Sequence, residues 1–242
     1  MNDYSPRTDA ASAARISRDS LAAWLAHSHN VDASGDGAFG DGAFSDDGES
    51  VIQLHAAIPG KSLKPAAVLI LVINQGDAPT VLFTQRTAHL TDHGGQISFP
   101  GGRVEAGDRD HFHTALREAE EETGVDAKRI RIIGTIPQYT TGTGYLITPV
   151  VGWMEPPVTY RPDPTEVEEC FEVPFEFLTD INNHHLETAM YKGRMRSYYA
   201  LPYGHRYIWG ATAGMLVTLT RVLGAAQGRP VGQPIRRAPD SG

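Results

Sequence analysis

Residues 101–125 have the sequence GGRVEAGDRDHFHTALREAEEETGV, and this stretch decides most of what can be expected of the fold. Two glycines and a short polar segment lead into an amphipathic pattern that predicts a helix over 110–123. Gly124 follows in the position of a C-cap glycine, where a left-handed backbone conformation ends many helices. One stripe of the helix is apolar and is expected to pack against a core. It comprises Phe112, Ala115, Leu116 and Ala119.

A second face of the same helix is acidic. Because an α-helix turns by about 100° per residue, Glu118, Glu121 and Glu122 lie on one face within about one turn. Like charges at this spacing repel each other unless a cation lies among them. Mg²⁺ prefers oxygen ligands and binds through a few carboxylates together with substrate phosphates. The cluster indicates a metal site for phosphate chemistry, whereas on the triplet alone a solvated acidic surface is the commoner explanation.

The residues around the triplet favour the metal site. Arg117 lies four residues before Glu121, which is the spacing for a charge-assisted hydrogen bond that fixes a carboxylate rotamer. Gly101 and Gly102 allow the backbone to approach a ligand or an ion closely. An ordinary charged surface helix requires neither feature.

These residues resemble the Nudix box, whose pattern is G-x5-E-x7-R-E-U-x-E-E-x-G-U, where U is a bulky aliphatic residue. Three departures occur: Asp108 replaces the first Glu, eight residues rather than seven separate it from Arg117, and Ala119 replaces the first U. An Asp with one extra residue is similar to the form of the coenzyme A diphosphatase branch. The matching residues are Gly102, Arg117, Glu118, Glu121, Glu122, Gly124 and Val125.

A second motif supports the same branch. Residues 82–102, LFTQRTAHLTDHGGQISFPGG, resemble the coenzyme A signature of these enzymes, roughly LLTxRSxxLRxHxGQxxFPGG. Thr91 stands where Arg is often found, which removes one guanidinium that could pair with phosphate. Residues 207–215 resemble the entry to the C-terminal helix of this branch. The matching positions of the signature are Leu82, Thr84, Arg86, Leu90, His93, Gly95, Gln96, Phe99, Pro100, Gly101 and Gly102.

The resemblance implies an α/β/α sandwich with a mixed β-sheet, and it implies Mg²⁺ or Mn²⁺ as cofactor. Glu118 and Glu122 would be metal ligands, with the Gly102 carbonyl as a further oxygen ligand. Glu121 would be a third ligand or the base that takes a proton from water, and both roles stay open. Arg117 would hold Glu121, and Glu166 is our candidate for an acid recruited from a later loop, with a solvated turn residue as the alternative.

The upstream motif supplies the expected substrate-binding residues. Arg86 can bind phosphate bidentately, and a Gly95 turn can direct amides at an anion. Gln96 can both donate and accept hydrogen bonds. Alternation along a short strand favours a core position for Phe99, although it belongs to the same motif. The full set is Arg86, Gly95, Gln96, Phe99 and Gly101.

Composition limits the alternatives. A chain of 242 residues is long enough for one substantial core, and its formal net charge of −8 argues against nucleic acid as a partner. The single cysteine, Cys170, excludes an internal disulfide and fits a reducing compartment. The sequence contains no apolar run long enough to cross a bilayer and no secretory signal pattern. We therefore expect a cytoplasmic protein with a small-molecule partner, and a monomer and a homodimer are both compatible with the sequence.

Three regions are expected along the chain. Residues 1–50 form an N-terminal extension, with a short helix over 16–27 capped by Ser17 and a flexible Gly/Asp-rich linker over 32–50. Residues 51–225 form the folded domain, and 226–242 a disordered tail. Predicted strands cover 66–74, 80–85, 96–99, 129–137, 145–155, 167–173, 197–201 and 206–209, and predicted helices begin at Pro174 and Ala211.

The predicted activity is metal-dependent hydrolysis of the diphosphate bond of coenzyme A or a derivative, giving phosphopantetheine and 3′,5′-ADP. One rival is a Nudix pyrophosphatase that acts on another substrate, such as ADP-ribose, NADH or a nucleoside triphosphate. The other is a catalytically silent module that binds a nucleotide or a protein. The persistence of all three box carboxylates speaks against the silent module.

Overall fold

The computed structural model describes residues 16–26, 62–76, 78–88, 94–191, 194–229 and 235–236. The predicted Gly/Asp linker, Thr91 and His93 lie outside the described residues, and so does most of the predicted tail. None of the helices in the described part of the chain has the length and apolar character that a bilayer crossing requires.

The centre of the fold is a mixed sheet built on two long strands, β1 (Lys64–Ile73) and β7 (Tyr145–Met154), which pair in parallel along their whole length. Antiparallel strands extend the sheet on both sides, and the order is β3-β2-β1-β7-β5, with β4 on β1, β6 on β7 and β8 on β2. Their bounds are β2 (Thr80–Arg86), β3 (Ile97–Ser98), β4 (Gly101–Arg103), β5 (Arg131–Thr135), β6 (Tyr139–Thr140) and β8 (Val167–Pro174).

Both faces of this sheet are covered by helices, because β1 is apolar on both sides. Its residues Ala67, Leu69, Leu71 and Ile73 pack in one core with α2 (His111–Thr123). Its residues Ile70 and Val72 pack in a second core with α1 (Arg18–Ala26) and α4 (Gly210–Ala226). A strand buried on both faces is typical of such a middle layer. The predicted α/β/α sandwich with a mixed sheet is confirmed.

The N-terminal helix forms as predicted. The Ser17 hydroxyl accepts a hydrogen bond of 3.1 Å from the Ser20 amide, which is the bond that defines an N-cap. Leu21 and Leu25 are buried in the core beneath α4. This helix therefore belongs to the folded body, although it precedes the linker in sequence.

A second, four-stranded sheet follows β8 and the short helix α3 (Phe175–Thr179). Its order is β11-β10-β9-β12, with bounds β9 (His185–Tyr191), β10 (Arg194–Tyr203), β11 (Arg206–Trp209) and β12 (Ile235–Arg236). The hairpin of β10 and β11 was predicted, but β9 was not. The pairing of β12 with β9 places two residues of the predicted tail in a sheet, and Pro174 caps α3 rather than occupying its first turn.

Candidate metal and catalytic site

The box segment forms a strand, a loop and a helix. Gly101 and Gly102 pair with β1 as part of β4 instead of forming only a turn. A Cβ at Gly101 would lie 2.5 Å from the Ala67 carbonyl oxygen, so this close pairing requires glycine. The helix then begins after Asp110, whose side chain accepts a 2.8 Å bond from the His113 amide, and ends at Gly124 with φ of 70°.

Arg117 is anchored by Asp108. Its Nε lies 3.0 Å from Asp108 Oδ1 and its Nη2 lies 3.0 Å from Asp108 Oδ2, which is a bidentate pair. The Asp108 side chain is only 1% exposed. The Arg117 guanidinium, with the Glu105 amide and neighbouring donors, holds the pKa of Asp108 far below its usual range, and Asp108 in turn raises the pKa of Arg117.

The other end of the Arg117 guanidinium faces the acidic triplet. Nη1 lies 2.9 Å from Glu121 Oε2 and 3.0 Å from Glu118 Oε1. The predicted hold of Arg117 on Glu121 is confirmed by this geometry. Because Arg117 lies between two of the carboxylates, it supplies part of the positive charge that the cluster needs.

Glu122 turns away from Arg117 and into the protein. Its side chain is 7% exposed and lies 3.8 Å from the Arg86 guanidinium, and one oxygen accepts a long 3.3 Å bond from the Gly101 amide. Burial, reinforced by the charge of Glu118, raises the pKa of Glu122 to about 8. The carboxylate is therefore buried without enough positive charge to keep it ionised at neutral pH.

Glu118 lies against the glycine strand. A Cβ at Gly102 would overlap the Glu118 carboxylate, so the glycine leaves the space that this side chain occupies. Burial raises the pKa of Glu118, and the charges of Glu121 and Glu166 act in the same direction. Glu166 is exposed, and its charge also raises the pKa of Glu122. The structure thus brings Glu166 into the field of both inner carboxylates.

The donor set fits a hard divalent cation, although it is not yet arranged as a complete cage. Within the described residues, no three carboxylate, imidazole or thiol groups converge closely enough to hold an ion. The triplet does not meet at one point, because Glu118 and Glu121 face Arg117 while Glu122 faces Gly101. However, burial raises the pKa of Glu118 and of Glu122 even though Arg117 and Arg86 lie beside them, and a bound cation would favour the ionised form of both carboxylates.

The residues of the upstream motif separate into two groups. Arg86 lies beside Glu122, and Gly95 makes the φ of 75° turn that brings the chain back to pair with β2. Gln96 follows this turn, and its carbonyl accepts from the Arg86 amide at 2.9 Å. Phe99 is a correction to the predicted substrate-binding set. It is 1% exposed and stacks on Phe83 at 4.9 Å between ring centroids, so its side chain is core and cannot contact a ligand.

Sequence reasoning did not find the role of Asp108 or the part played by His113. His113 Nδ1 lies 2.8 Å from Asp108 Oδ1, and the Thr114 hydroxyl donates to Asp108 Oδ2 at 2.9 Å. Asp108 is thus enclosed by donors from the first turns of α2. The only sequence signal was its place in the box pattern, which identifies the position but not its partner.

The fold and the site define a class of α/β/α proteins. In this class a mixed sheet lies between two layers of helices, and a loop and a helix that carry acidic residues lie on one side of the sheet. The NUDIX domain family model matches residues 63–192. A relative from Photorhabdus laumondii, named "Uncharacterized Nudix hydrolase NudL", is 35% identical over 173 residues, which cover 70% of this chain and 92% of the relative. A relative of the same name from Escherichia coli K12 is 36% identical over 161 residues, which cover 66% of this chain and 83% of the relative.

The chain belongs to the Nudix family. A crystal structure of a Nudix hydrolase from M. smegmatis, RenU, aligns with a TM-score of 0.47 at 20% identity, over 70% of this chain and 89% of that one. Members of the family generally need divalent ions such as Mg²⁺ or Mn²⁺.

Proposed function

We propose that this Nudix hydrolase cleaves the diphosphate bond of coenzyme A or of its thioester derivatives, giving phosphopantetheine and 3′,5′-ADP. The observation that carries the proposal is the approach of Arg86 to Glu122, 3.8 Å apart. Arg86 comes from the motif that resembles the coenzyme A signature, and Glu122 comes from the Nudix box. A phosphate-binding side chain thus lies beside a carboxylate suited to a metal, as cleavage of a diphosphate requires.

The side chains have distinct tasks in this proposal. Glu118 and Glu122, with the Gly102 carbonyl, would hold Mg²⁺ or Mn²⁺. The bound ion would lower the pKa of a water molecule and neutralise charge on the phosphoryl oxygens. Arg86 binds a diphosphate oxygen from the opposite side and orients the scissile bond. Gly95 and Gln96 hold Arg86 in place through two backbone hydrogen bonds: the Arg86 amide donates to the Gln96 carbonyl, and the Gly95 amide donates to the Arg86 carbonyl.

Two residues are candidates for taking the proton of the attacking water. Glu121 is more exposed than the other two box carboxylates, and Arg117 fixes its rotamer. Glu166 is exposed and acts electrostatically on Glu118 and Glu122. A base must lie within hydrogen-bond reach of the attacking water, and both residues have side chains that are open to solvent. Separate Gln substitutions distinguish them, because loss of the base lowers kcat more than it raises KM.

A reducing compartment suits the proposal. Cys170 is half-buried and forms no disulfide, and burial with the nearby charge of Glu122 raises the pKa of its thiol to about 11. The thiol is therefore unreactive at neutral pH, although it lies near the site. A cytoplasmic location stays part of the proposal, because a lone free thiol suits a reducing compartment.

The proposal is tested with purified full-length protein and a panel of coenzyme A, acetyl-coenzyme A, ADP-ribose, NADH and a nucleoside triphosphate. Products are separated by chromatography after incubation with Mg²⁺, with Mn²⁺ and with a chelator. We expect the highest kcat/KM for coenzyme A or its thioester and no turnover with the chelator. A higher kcat/KM for ADP-ribose, NADH or the triphosphate would refute the substrate, and the absence of metal-dependent turnover for the whole panel would refute the hydrolase.

A further inference from the structure

A cationic cluster lies close to the candidate metal site and has no role in the chemistry described so far. Arg103 Nε donates a 2.7 Å hydrogen bond to the Tyr145 hydroxyl, and its guanidinium carbon lies 5.3 Å from the centre of the Tyr145 ring. Lys64 Nζ lies 5.8 Å from the same centre. Two positive side chains thus flank one tyrosine.

The strand pairing explains how three residues from different parts of the chain meet. Lys64 pairs with Tyr145 where β1 and β7 begin together. Arg103 pairs with Ala66, two residues further along β1. Since paired residues point to the same face of a sheet and alternate residues share a face, all three side chains lie on one face.

This face is opposite to the one that carries the acidic triplet. Gly102 faces Glu118, and the next residue, Arg103, directs its side chain to the other side of β4. The Arg103 carbonyl accepts a 3.3 Å bond from Arg117 Nη2, so its backbone still touches the catalytic network. In the described part of the chain β4 pairs with β1 alone, so its other edge forms no strand pair there.

The charge of the cluster is not neutralised locally. Among the residues that the structure describes, no carboxylate lies within 4.0 Å of the Lys64 or Arg103 nitrogens. Both residues are exposed. The Tyr145 hydroxyl accepts from Arg103, and its own proton can be donated to a further oxygen. Two cations and a hydroxyl donor fit a dianionic oxyanion, and a phosphomonoester carries nearly two negative charges at neutral pH.

We propose that Lys64, Arg103 and Tyr145 bind the phosphomonoester on the ribose of the 3′,5′-ADP half of the substrate. This inference rests on the proposed function, since it assumes that the diphosphate of the same molecule lies at Glu118, Glu122 and Arg86. It explains how the enzyme would select coenzyme A over compounds that have the same diphosphate but lack the 3′-phosphate. The selecting residues lie on the opposite face of β4 from the residues that hold the diphosphate.

The experiment compares coenzyme A with dephospho-coenzyme A, which differs only in the 3′-phosphate. We expect the wild-type protein to prefer coenzyme A in kcat/KM. Arg103→Gln should lower kcat/KM for coenzyme A by roughly 10- to 100-fold, as expected for lost charge-assisted hydrogen bonds, and by much less for dephospho-coenzyme A. Lys64→Gln and Tyr145→Phe should reduce the same preference to a smaller degree, and Lys128→Gln, at an exposed lysine elsewhere, controls for net charge.

A binding measurement provides a readout that is independent of turnover. By calorimetry without divalent ions, the wild-type protein should bind 3′,5′-ADP more tightly than 5′-AMP by about tenfold or more, and Arg103→Gln should bind the two alike. Unchanged melting temperatures would show that the variants are folded.

The outcomes separate the two proposals. Equal losses for coenzyme A and dephospho-coenzyme A, or a wild-type protein that does not distinguish them, would refute the phosphomonoester site while leaving the hydrolase intact. Failure to hydrolyse either compound would refute the proposed function itself.

Discussion

Asp108 and Glu122 are two nearly buried carboxylates of the same segment, but their surroundings are opposite. The Asp108 side chain is 1% exposed and receives hydrogen bonds from Arg117, Thr114 and the Glu105 amide. The Glu122 side chain is 7% exposed and has one long bond and one distant guanidinium. As a result the pKa of Asp108 is lowered, whereas the pKa of Glu122 is raised to about 8.

One motif therefore contains one carboxylate with a structural role and another for which we propose a functional role. Asp108 has all the partners that a buried charge needs, so its task is to hold Arg117 and the loop before α2. Glu122 lacks such partners. A protein retains a buried carboxylate of this kind, despite its cost in stability, when a ligand or an ion supplies the missing partner. The predictions below test this contrast at each of the two carboxylates and at Gly102, which lies against Glu118.

The largest effect is expected for Glu122→Gln. Turnover of the preferred diphosphate should fall by roughly 10²- to 10³-fold, because the proposed metal site loses a charged ligand and with it several kcal/mol of transition-state stabilisation. In a chelator the variant should melt no lower than the wild type, because glutamine avoids the cost of ionising a buried carboxyl group whose pKa is raised. Glu120→Gln, at an exposed neighbour on the same helix, is the matched control and should retain full turnover.

Asp108→Asn should affect stability first. The substitution keeps the shape but removes the carboxylate that pairs bidentately with Arg117, whose remaining charged partners are Glu118 and Glu121. Breaking this largely buried pair should lower the free energy of unfolding by about 2–4 kcal/mol. Denaturant titration measures it. Asp110→Asn is the control, because Asn is an equally good N-cap and should cost less than about 0.5 kcal/mol. Equal stabilities for Asp108→Asn and Asp110→Asn would contradict an anchoring role for Asp108.

Gly102→Ala tests the carboxylates of the proposed metal site. The new Cβ overlaps the Glu118 carboxylate, which must leave its present position. We expect kcat to fall about tenfold, equivalent to one misplaced ligand worth about 1.4 kcal/mol. Gly107→Ala meets no atom within 4 Å and should leave kcat unchanged. If both variants had the wild-type kcat, the position of Glu118 would not matter for turnover.

The smallest effect concerns pH. Because the pKa of Asp108 is lower in the folded protein than the usual aspartate value of 3.8, its contribution to stability is present above pH 3.8 and is lost as the pH falls below it. The difference in unfolding free energy between wild type and Asp108→Asn should be constant from pH 5 to 7 and shrink in more acidic solution. A difference that does not change down to the acid transition would show that this carboxyl does not titrate as the structure indicates.

The parts of the site that could be predicted are those determined by local spacing. The helix, its Gly124 cap and the bond from Arg117 to Glu121 all follow from residues within a few positions of each other. The apolar run over 66–74 likewise predicted the strand β1, whereas the three-layer arrangement was expected from the resemblance to the Nudix family. In these segments the spacing of residues along the chain determines both the type of secondary structure and the face on which each side chain lies.

What could not be predicted depends on contacts between distant segments. The meeting of Glu122 with Arg86 and Gly101 requires the pairing of three strands. The strand β4 is short and begins with two glycines, so it was expected as a turn only. The strand β9 was missed because its sequence, HLETAMY, has neither an apolar run nor a clean alternation, and its pairing with β10 determines it.

The measurement that tests the central claim most directly is Mn²⁺ binding, followed by the loss of the free-ion signal in electron paramagnetic resonance. The wild-type protein should bind Mn²⁺, and Glu122→Gln should bind it at least about tenfold more weakly, while Glu120→Gln should match the wild type. Equal affinity of Glu122→Gln and wild type for Mn²⁺ would contradict the claim that the incompletely paired carboxylate of Glu122 is a metal ligand.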